Sequence, residues 1–479
     1  MTSTPIFELL PKESREAILA QAYRLMETNG VMIHSERARS IFAENSCTVD
    51  GANVKIPTAL VKKCIETAPS MIKMYDRNGK PAMDVGGRNA YFGPGPTCPN
   101  YFDAVTGERR PAKKEDAATT AFLADALEHI DFVMSLVMIG DQTKELADIH
   151  EVDAMVKNTT KPIITWAFNK ENLQTIIDMC AVVAGGLENL QEKPFLAVYC
   201  EPTTPFVHTQ DALEKLMLLA ENKIPCIYTP GMILGATAPV TVAGALTVGL
   251  VDSLTGLVLS QLVCEGAPFI GGAAGGPMDM KTMQHSYGAP EWVLCHNAST
   301  EMFHEINIPV FNAAGCSDAK TVGSQSAFEA AIQIYAAMAT GGNITHDVGF
   351  MDLGITGSPL QMVMCNEFIG YMRRIQEGIL VDEDSLAEET IISVGAGGNF
   401  LTEDHTLDFF QDELWVPSIM SRENYETWEN NGSTDLVERA QKQILELLDT
   451  YTPEPLSEEI SAKLDAIIAE KERSFTTRL

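Results

Sequence analysis

Basic residues are scarce in this chain of 479 residues: 34 lysines and arginines stand against 65 aspartates and glutamates, a formal net charge of −31. A field of that sign repels phosphate backbones and anionic headgroups, so neither nucleic acid nor a membrane surface is an expected partner. The ten cysteines are scattered without a C-x-x-C pair, in a chain long enough to bury a large core without disulfides. They are expected to be reduced and mostly buried. No apolar run is read as approaching the roughly 20 residues of a membrane span, and MTSTPIFELLPKESREAI lacks a basic region followed by an apolar one. A cytoplasmic protein is the expectation.

Familiar motifs are missing as well. There is no G-x-S-x-G elbow, and the scattered thiols define no Cys/His nucleophilic pair. His285, Cys295, His296 and His304 crowd one stretch, but helical spacing spreads them around a cylinder and no H-x-x-x-H pair occurs, so no metal site is expected. The glycine-rich PFIGGAAGGPMD from Pro268 matches neither a dinucleotide nor a P-loop pattern. Its Gly272, Gly275 and Gly276 suit close backbone approach to a flat ligand, or simple turn chemistry.

What is present is a repeated alternation. Eight apolar, β-branched or aromatic runs each close in Gly, Pro or polar residues: AYFGPGP from Ala90, DFVMSLVMIG from Asp131, PIITWAF from Pro162, PFLAVYCEP from Pro194, PCIYTPG from Pro225, PFIGGAAGG from Pro268, IPVFNAAG from Ile308 and NITHDVGF from Asn343. Their starts lie about 30 to 45 residues apart, room for a strand, a helix and two loops. Continuous apolarity fits parallel strands buried on both faces. The intervening helices are amphipathic, as in DALEKLMLLAENK from Asp211, and SAFEAAIQIYAAMATGG from Ser326 closes on a glycine pair. Eight units predict an α/β chain folded as a (β/α)8 TIM barrel, although an open doubly wound sheet has the same period.

The ends differ from the middle. Residues 1–88 read as an N-terminal helical cap, with one helix ending at Gly30 and another starting at IPTALVKKCIETAP. Residues 89–401 hold the barrel, and residues 402–479 a C-terminal helical extension containing DLVERAQKQILELLDTY and SEEISAKLDAIIAEKERS. Such charged helices are solvated faces or oligomer contacts, and a homo-oligomer is expected.

In a barrel of this kind chemistry sits at the C-terminal strand ends. Those ends offer Phe92, Tyr101, Trp166, Phe168, Tyr199, Glu201, Tyr228, Asp279, Asp318, His346, Asp347 and Phe350: aromatics, some carboxylates and almost no Lys or Arg. Such a lining suits a cation without acidic protons, a quaternary ammonium held by ring quadrupoles at roughly 0.5 to 2 kcal/mol per ring. Packing within the core is the plain alternative for any one ring.

The stretches YFGPGPTCPNYFDAVTGERRPAKKEDAATTA, GAPEW, GCSDAKTVGSQSAFEAA, THDVGF and EDHTLDFFQDELWVPSIMSR, with METNGVMIHSERARSIF near the start, together resemble the trimethylamine methyltransferase superfamily of corrinoid-dependent enzymes. The likeness runs in order over nearly the whole chain. It implies a (β/α)8 barrel that moves a methyl group from a methylated amine to the cobalt of a cognate corrinoid (cobalamin-type) protein, with no tightly bound metal of its own. One branch of that family carries pyrrolysine. None appears here, though one recorded as lysine would draw attention to Lys320. The likeness implies the branch lacking it, which resembles demethylases of glycine betaine, proline betaine, carnitine and γ-butyrobetaine.

Losing a methyl from a quaternary ammonium needs no general acid, so the expected residues position rather than transfer protons. His346 is expected to donate to a substrate carboxylate, Asp347 to fix the loop or face the cation, and Phe350 to form a cage wall. Phe92 and Tyr101 are further candidates for substrate contact, followed by Trp166, Tyr199 and Glu201; Gly272, Gly275 and Gly276 are candidates to admit the corrin ring. A lyase or isomerase with Glu201, Asp279 or Asp347 as base, and a non-catalytic binder of quaternary amines, remain competing readings.

Overall fold

Parallel pairing dominates the centre of the computed structural model, which describes residues 2–478. Strand Ile163–Trp166 pairs with Leu196–Cys200, that with Cys226–Tyr228, and that with Phe269–Gly271. Gly271 bridges Val310, and Phe311–Ala313 pairs with Ile344–His346, which pairs with Tyr91–Phe92. The Asp131 amide then donates to the Phe92 carbonyl at 2.7 Å, and Val133 bridges Ile163, where the sequence of neighbours began. All eight expected runs therefore contribute, in chain order, to an α/β fold.

Helices fill the intervals. Gln210–Asn222 and Ser324–Thr340 fall on the two amphipathic stretches, and the second stops at Gly341, whose φ of +86° is a left-handed C-cap. Arg373 on the helix Pro359–Glu377 reaches both oxygens of Asp131 at 2.8 and 2.7 Å, while Asp131 Oδ2 accepts from the Phe92 amide at 2.8 Å. That ion pair fixes the register of the first two runs.

The helix Val242–Val263 corrects the expectation that no apolar run nears membrane-span length. It has 22 residues and is apolar enough to cross a membrane by length and composition, yet 83% of its most apolar window is buried inside the protein. Apolar all round, it packs against core on every side. Gly256 lets it approach Tyr228, since a Cβ there would lie 2.2 Å from the ring.

The first 88 residues are less helical than expected. Helices Lys12–Thr28, Glu36–Glu44 and Thr58–Thr67 are joined by the short strands Val31–Ile33, Thr48–Asp50 and Asn53–Lys55, and by a hairpin of Met71–Tyr75 with Pro81–Gly86. The hairpin's Ile72, Met74, Met83 and Val85 form one buried cluster with Ile164, Ala197, Ile227, Ile270 and Ile344 of the parallel strands. It thus covers the end of the strands opposite their C-terminal tips. All ten cysteines are free, and nine are buried. Beyond Glu377 the helices Glu383–Leu386, Glu388–Val394 and Asp404–Glu413 bury no residue.

Candidate active site

A cavity of about 430 Å³ opens at the C-terminal tips of the parallel strands, and Trp166, Tyr199, Glu201, His346, Asp347 and Phe350 all line it. Trp166, Tyr199, Glu201, His346 and Asp347 lie at or just past the ends of their strands, and Phe350 opens the short strand Phe350–Met351 beyond, where side chains from different strands converge.

Trp166 lies edge-on to Phe168, with centroids 4.6 Å apart. Its Nε1 donates to Glu151 Oε2 at 3.0 Å, and Glu151 also accepts from the Ile139 amide at 3.1 Å. Glu151 is wholly buried on the helix Ala147–Asn158, and burial pushes its carboxyl up to about 8 despite these donors. Tyr199 packs against Phe311 at 5.6 Å, and burial raises its phenol well above the usual range. Glu201 lies exposed at the mouth and accepts from the Gly231 amide at 3.2 Å, while crowding by protein atoms pushes its carboxyl upward. Lys215, the one lysine among the described lining residues, donates its ammonium to the Ala167 carbonyl at 2.5 Å.

His346 and Asp347 form the opposite wall. Their Nδ1 and Oδ1 are 2.5 Å apart, and the imidazole stacks on Phe311 at 4.0 Å with an interplanar angle of 11°. Asp347 has φ +72°, a left-handed conformation that aspartate tolerates better than most residues. A Cβ on Gly95 would fall 2.2 Å from Asp347 Oδ1 and 2.7 Å from Phe350 Cζ, so glycine there admits both side chains. With Nδ1–H given to Asp347, Nε2 of a neutral ring is an acceptor, and donates only from the imidazolium.

Other expected residues lie elsewhere. Phe92 is fully buried outside the cavity lining, in the core cluster shared with the surrounding helices, because successive strand residues face opposite sides and its neighbour Tyr91 takes the interior. Tyr101 is buried beside Arg110, whose guanidinium stands 5.4 Å above its ring, also outside the lining. Of the three glycines only Gly275 lines the cavity. A Cβ on Gly272 would meet Thr229 Oγ1 at 2.4 Å, and one on Gly276 would meet Trp292 at 2.5 Å, so the protein's own side chains occupy the space assigned to a flat ligand. Tyr228 is buried, its hydroxyl 2.8 Å from His208 Nδ1, and Asp279 caps an exposed turn. Asp318 accepts from the Tyr287 amide at 2.8 Å. The Lys320 side chain is 62% exposed, bonded to the Asp318 carbonyl and outside the lining.

The sequence reading gave no substrate role to Thr229, Tyr287, Trp292 or His296, which also line the cavity. Tyr287 and Trp292 pack with ring centroids 4.2 Å apart at a tilt of 31°, and Trp292 and His296 with centroids 4.2 Å apart at 35°. Trp292 and His296 sit one turn apart on the helix Pro290–Glu305, a signal present in GAPEWVLCH once that helix face is known to tip into the cavity. Among the described residues, no serine or cysteine lines the cavity, and no group of three or more His, Cys, Asp or Glu is placed to hold a metal ion.

The structure resembles the solved Methanosarcina barkeri monomethylamine methyltransferase (MtmB), with a TM-score of 0.50 at 12% identity, covering 91% of this chain and 92% of that one. This likeness is one of fold. The family described as Trimethylamine methyltransferase (MTTB) matches residues 1–476, and the chain belongs to that family of methyltransferases. It is 31% identical over 465 residues to the trimethylamine methyltransferase MttB of Desulfitobacterium hafniense (strain DSM 10664 / DCB-2), covering 97% of this chain and 94% of that protein. To the glycine betaine methyltransferase of Desulfitobacterium hafniense (strain Y51) it is 28% identical over 472 residues, covering 98% of each.

Proposed function

We propose that this methyltransferase takes its methyl group from a quaternary amine of the betaine type (glycine betaine, proline betaine, carnitine or γ-butyrobetaine) and passes it to the cobalt(I) of a cognate corrinoid protein. The frame for this is a (β/α)8 barrel, a reading supported by parallel neighbours that follow chain order and return to the first strand. One observation carries the substrate class. The cavity combines aromatic rings with the carboxylates of Glu201 and Asp347, and offers no serine or cysteine nucleophile among its described lining residues.

A quaternary ammonium already bears the positive charge, so when a methyl carbon is attacked the C–N electrons leave with a neutral tertiary amine and no proton is delivered. The reduced cobalt supplies the nucleophile. The chain's own part is to hold the cation against Tyr199, Trp166 and Phe350, orient one methyl toward the mouth and exclude water. The mouth, where Glu201 and Gly231 are exposed, is the side from which a corrinoid partner would approach. Lys320 points away from a hidden pyrrolysine, because its side chain is outside the cavity.

The test mixes the purified protein with chemically reduced cobalt(I) cobalamin and each betaine or trimethylamine, following the spectral change to methylcobalt(III). Methylation by one betaine is expected. Methylation by trimethylamine alone would overturn the betaine assignment, and no methylation by any amine, repeated with a corrinoid protein as acceptor, would overturn the transferase reading itself.

A further inference from the structure

The wall built from residues 285–296 holds nitrogen atoms that find no hydrogen-bond partner among the described residues. They are His285 Nε2, Trp292 Nε1, and both ring nitrogens of His296. Trp292 and His296 are 4% and 2% exposed, and all three residues line the cavity. Asn312 approaches His296 without completing a hydrogen bond, and its Nδ2 is also unpartnered. Thr229 Oγ1, on another buried part of the lining, has no partner either. Buried polar groups are rarely left so, and several in one cavity mark the place where a ligand completes them.

Their chemistry defines the ligand. An indole N–H only donates, a neutral imidazole donates from one nitrogen, and a threonine hydroxyl can donate. Burial holds the His296 ring neutral, lowering its pKa to about 3. This pole therefore calls for an acceptor, whereas the rings and the carboxylates of Glu201 and Asp347 call for a cation. His346 does not duplicate it, because its Nδ1 is engaged by Asp347.

We propose that Trp292 and His296, flanked by His285, bind the carboxylate of a zwitterionic substrate and so select betaines over simple alkylammonium ions. This rests on the quaternary-amine reading above and assigns the specificity-determining residues within it. These residues position the substrate and take no part in bond making.

Calorimetric binding to the full chain tests it, with glycine betaine, tetramethylammonium and acetate as probes, and with Trp292→Phe and His296→Gln beside the unaltered protein. Circular dichroism confirms that each variant is folded. Either variant is expected to bind glycine betaine roughly tenfold more weakly while tetramethylammonium binding is unchanged. Equal losses for both ligands, or no loss for glycine betaine in either folded variant, would overturn the assignment and leave a packing role. If the unaltered protein binds acetate but no ammonium ligand, and the variants lose acetate, the carboxylate pole stands and the quaternary-amine reading falls. Binding of neither glycine betaine nor acetate would overturn the pole.

Discussion

His346 Nδ1 sits 2.5 Å from Oδ1 of the residue that follows it, Asp347, although adjacent side chains of an extended strand normally point apart. The left-handed backbone at Asp347, φ +72°, turns the carboxylate back onto the imidazole and fixes the ring against Phe311. Under the proposed function, Asp347→Asn keeps the conformation but replaces the anion that faces the cation and holds the ring. KM for the betaine substrate should rise about tenfold, some 1.4 kcal/mol, with little change in thermal stability. His346→Ala should show the same split; an unchanged KM would remove the pair from the site.

Gly95→Ala tests the same corner from the opposite side. A methyl group 2.2 Å from Asp347 Oδ1 and 2.7 Å from Phe350 has to displace both. Overpacking of this kind costs about 1–3 kcal/mol, but the larger expected effect is loss of substrate binding, because the displaced groups line the cavity. Titration calorimetry with the preferred betaine, compared with the urea midpoint, separates the two effects.

Glu151 gives stability a pH dependence of defined sign. Its folded value is about 8 against an ordinary 4.5, so between those pH values the native state holds a proton that the unfolded chain has released. Stability therefore falls as pH rises through that window. Glu151→Gln removes the titration, and its melting temperature should fall less steeply than the unaltered protein's between pH 5 and about 8. Parallel slopes would show that Glu151 titrates normally.

Gly256→Ala should cost about 1–3 kcal/mol of stability, read as a lower urea midpoint with an unchanged denaturant slope, since its Cβ would enter the Tyr228 ring. The buried helix has no free side onto which to shift. An unaltered midpoint would mean that the helix and strand part more easily than their packing indicates.

Much of the site was legible because its residues end strands. Trp166, Tyr199, Glu201, His346 and Asp347 each close an apolar run, and Phe350 lies three residues past the last, so locating the runs located the residues. Phe92 was misplaced because the parity of a two-residue strand cannot be judged from sequence: one step moves a ring from cavity side to helix side. Trp292 and His296 were hidden by lying on a helix, where spacing gives a face but not what that face meets. The N-terminal hairpin did carry a signal, Asn78-Gly79 between the alternating pairs Ile72/Met74 and Met83/Val85, which the helical reading of that region overlooked.

The same hairpin has a kinetic consequence. By packing Ile72, Met74, Met83 and Val85 into one end of the strands, it closes that end, and the cavity's doorway lies at the opposite, C-terminal tips. In the proposed reaction the small amine and the bulky methyl acceptor must share that doorway, so the amine has to enter first and the demethylated amine must wait for the acceptor to withdraw. An acceptor in excess would then occupy the empty enzyme and slow turnover, a dead end that raising the betaine concentration relieves. Closing one end of the fold converts its geometry into a compulsory order of arrival and departure.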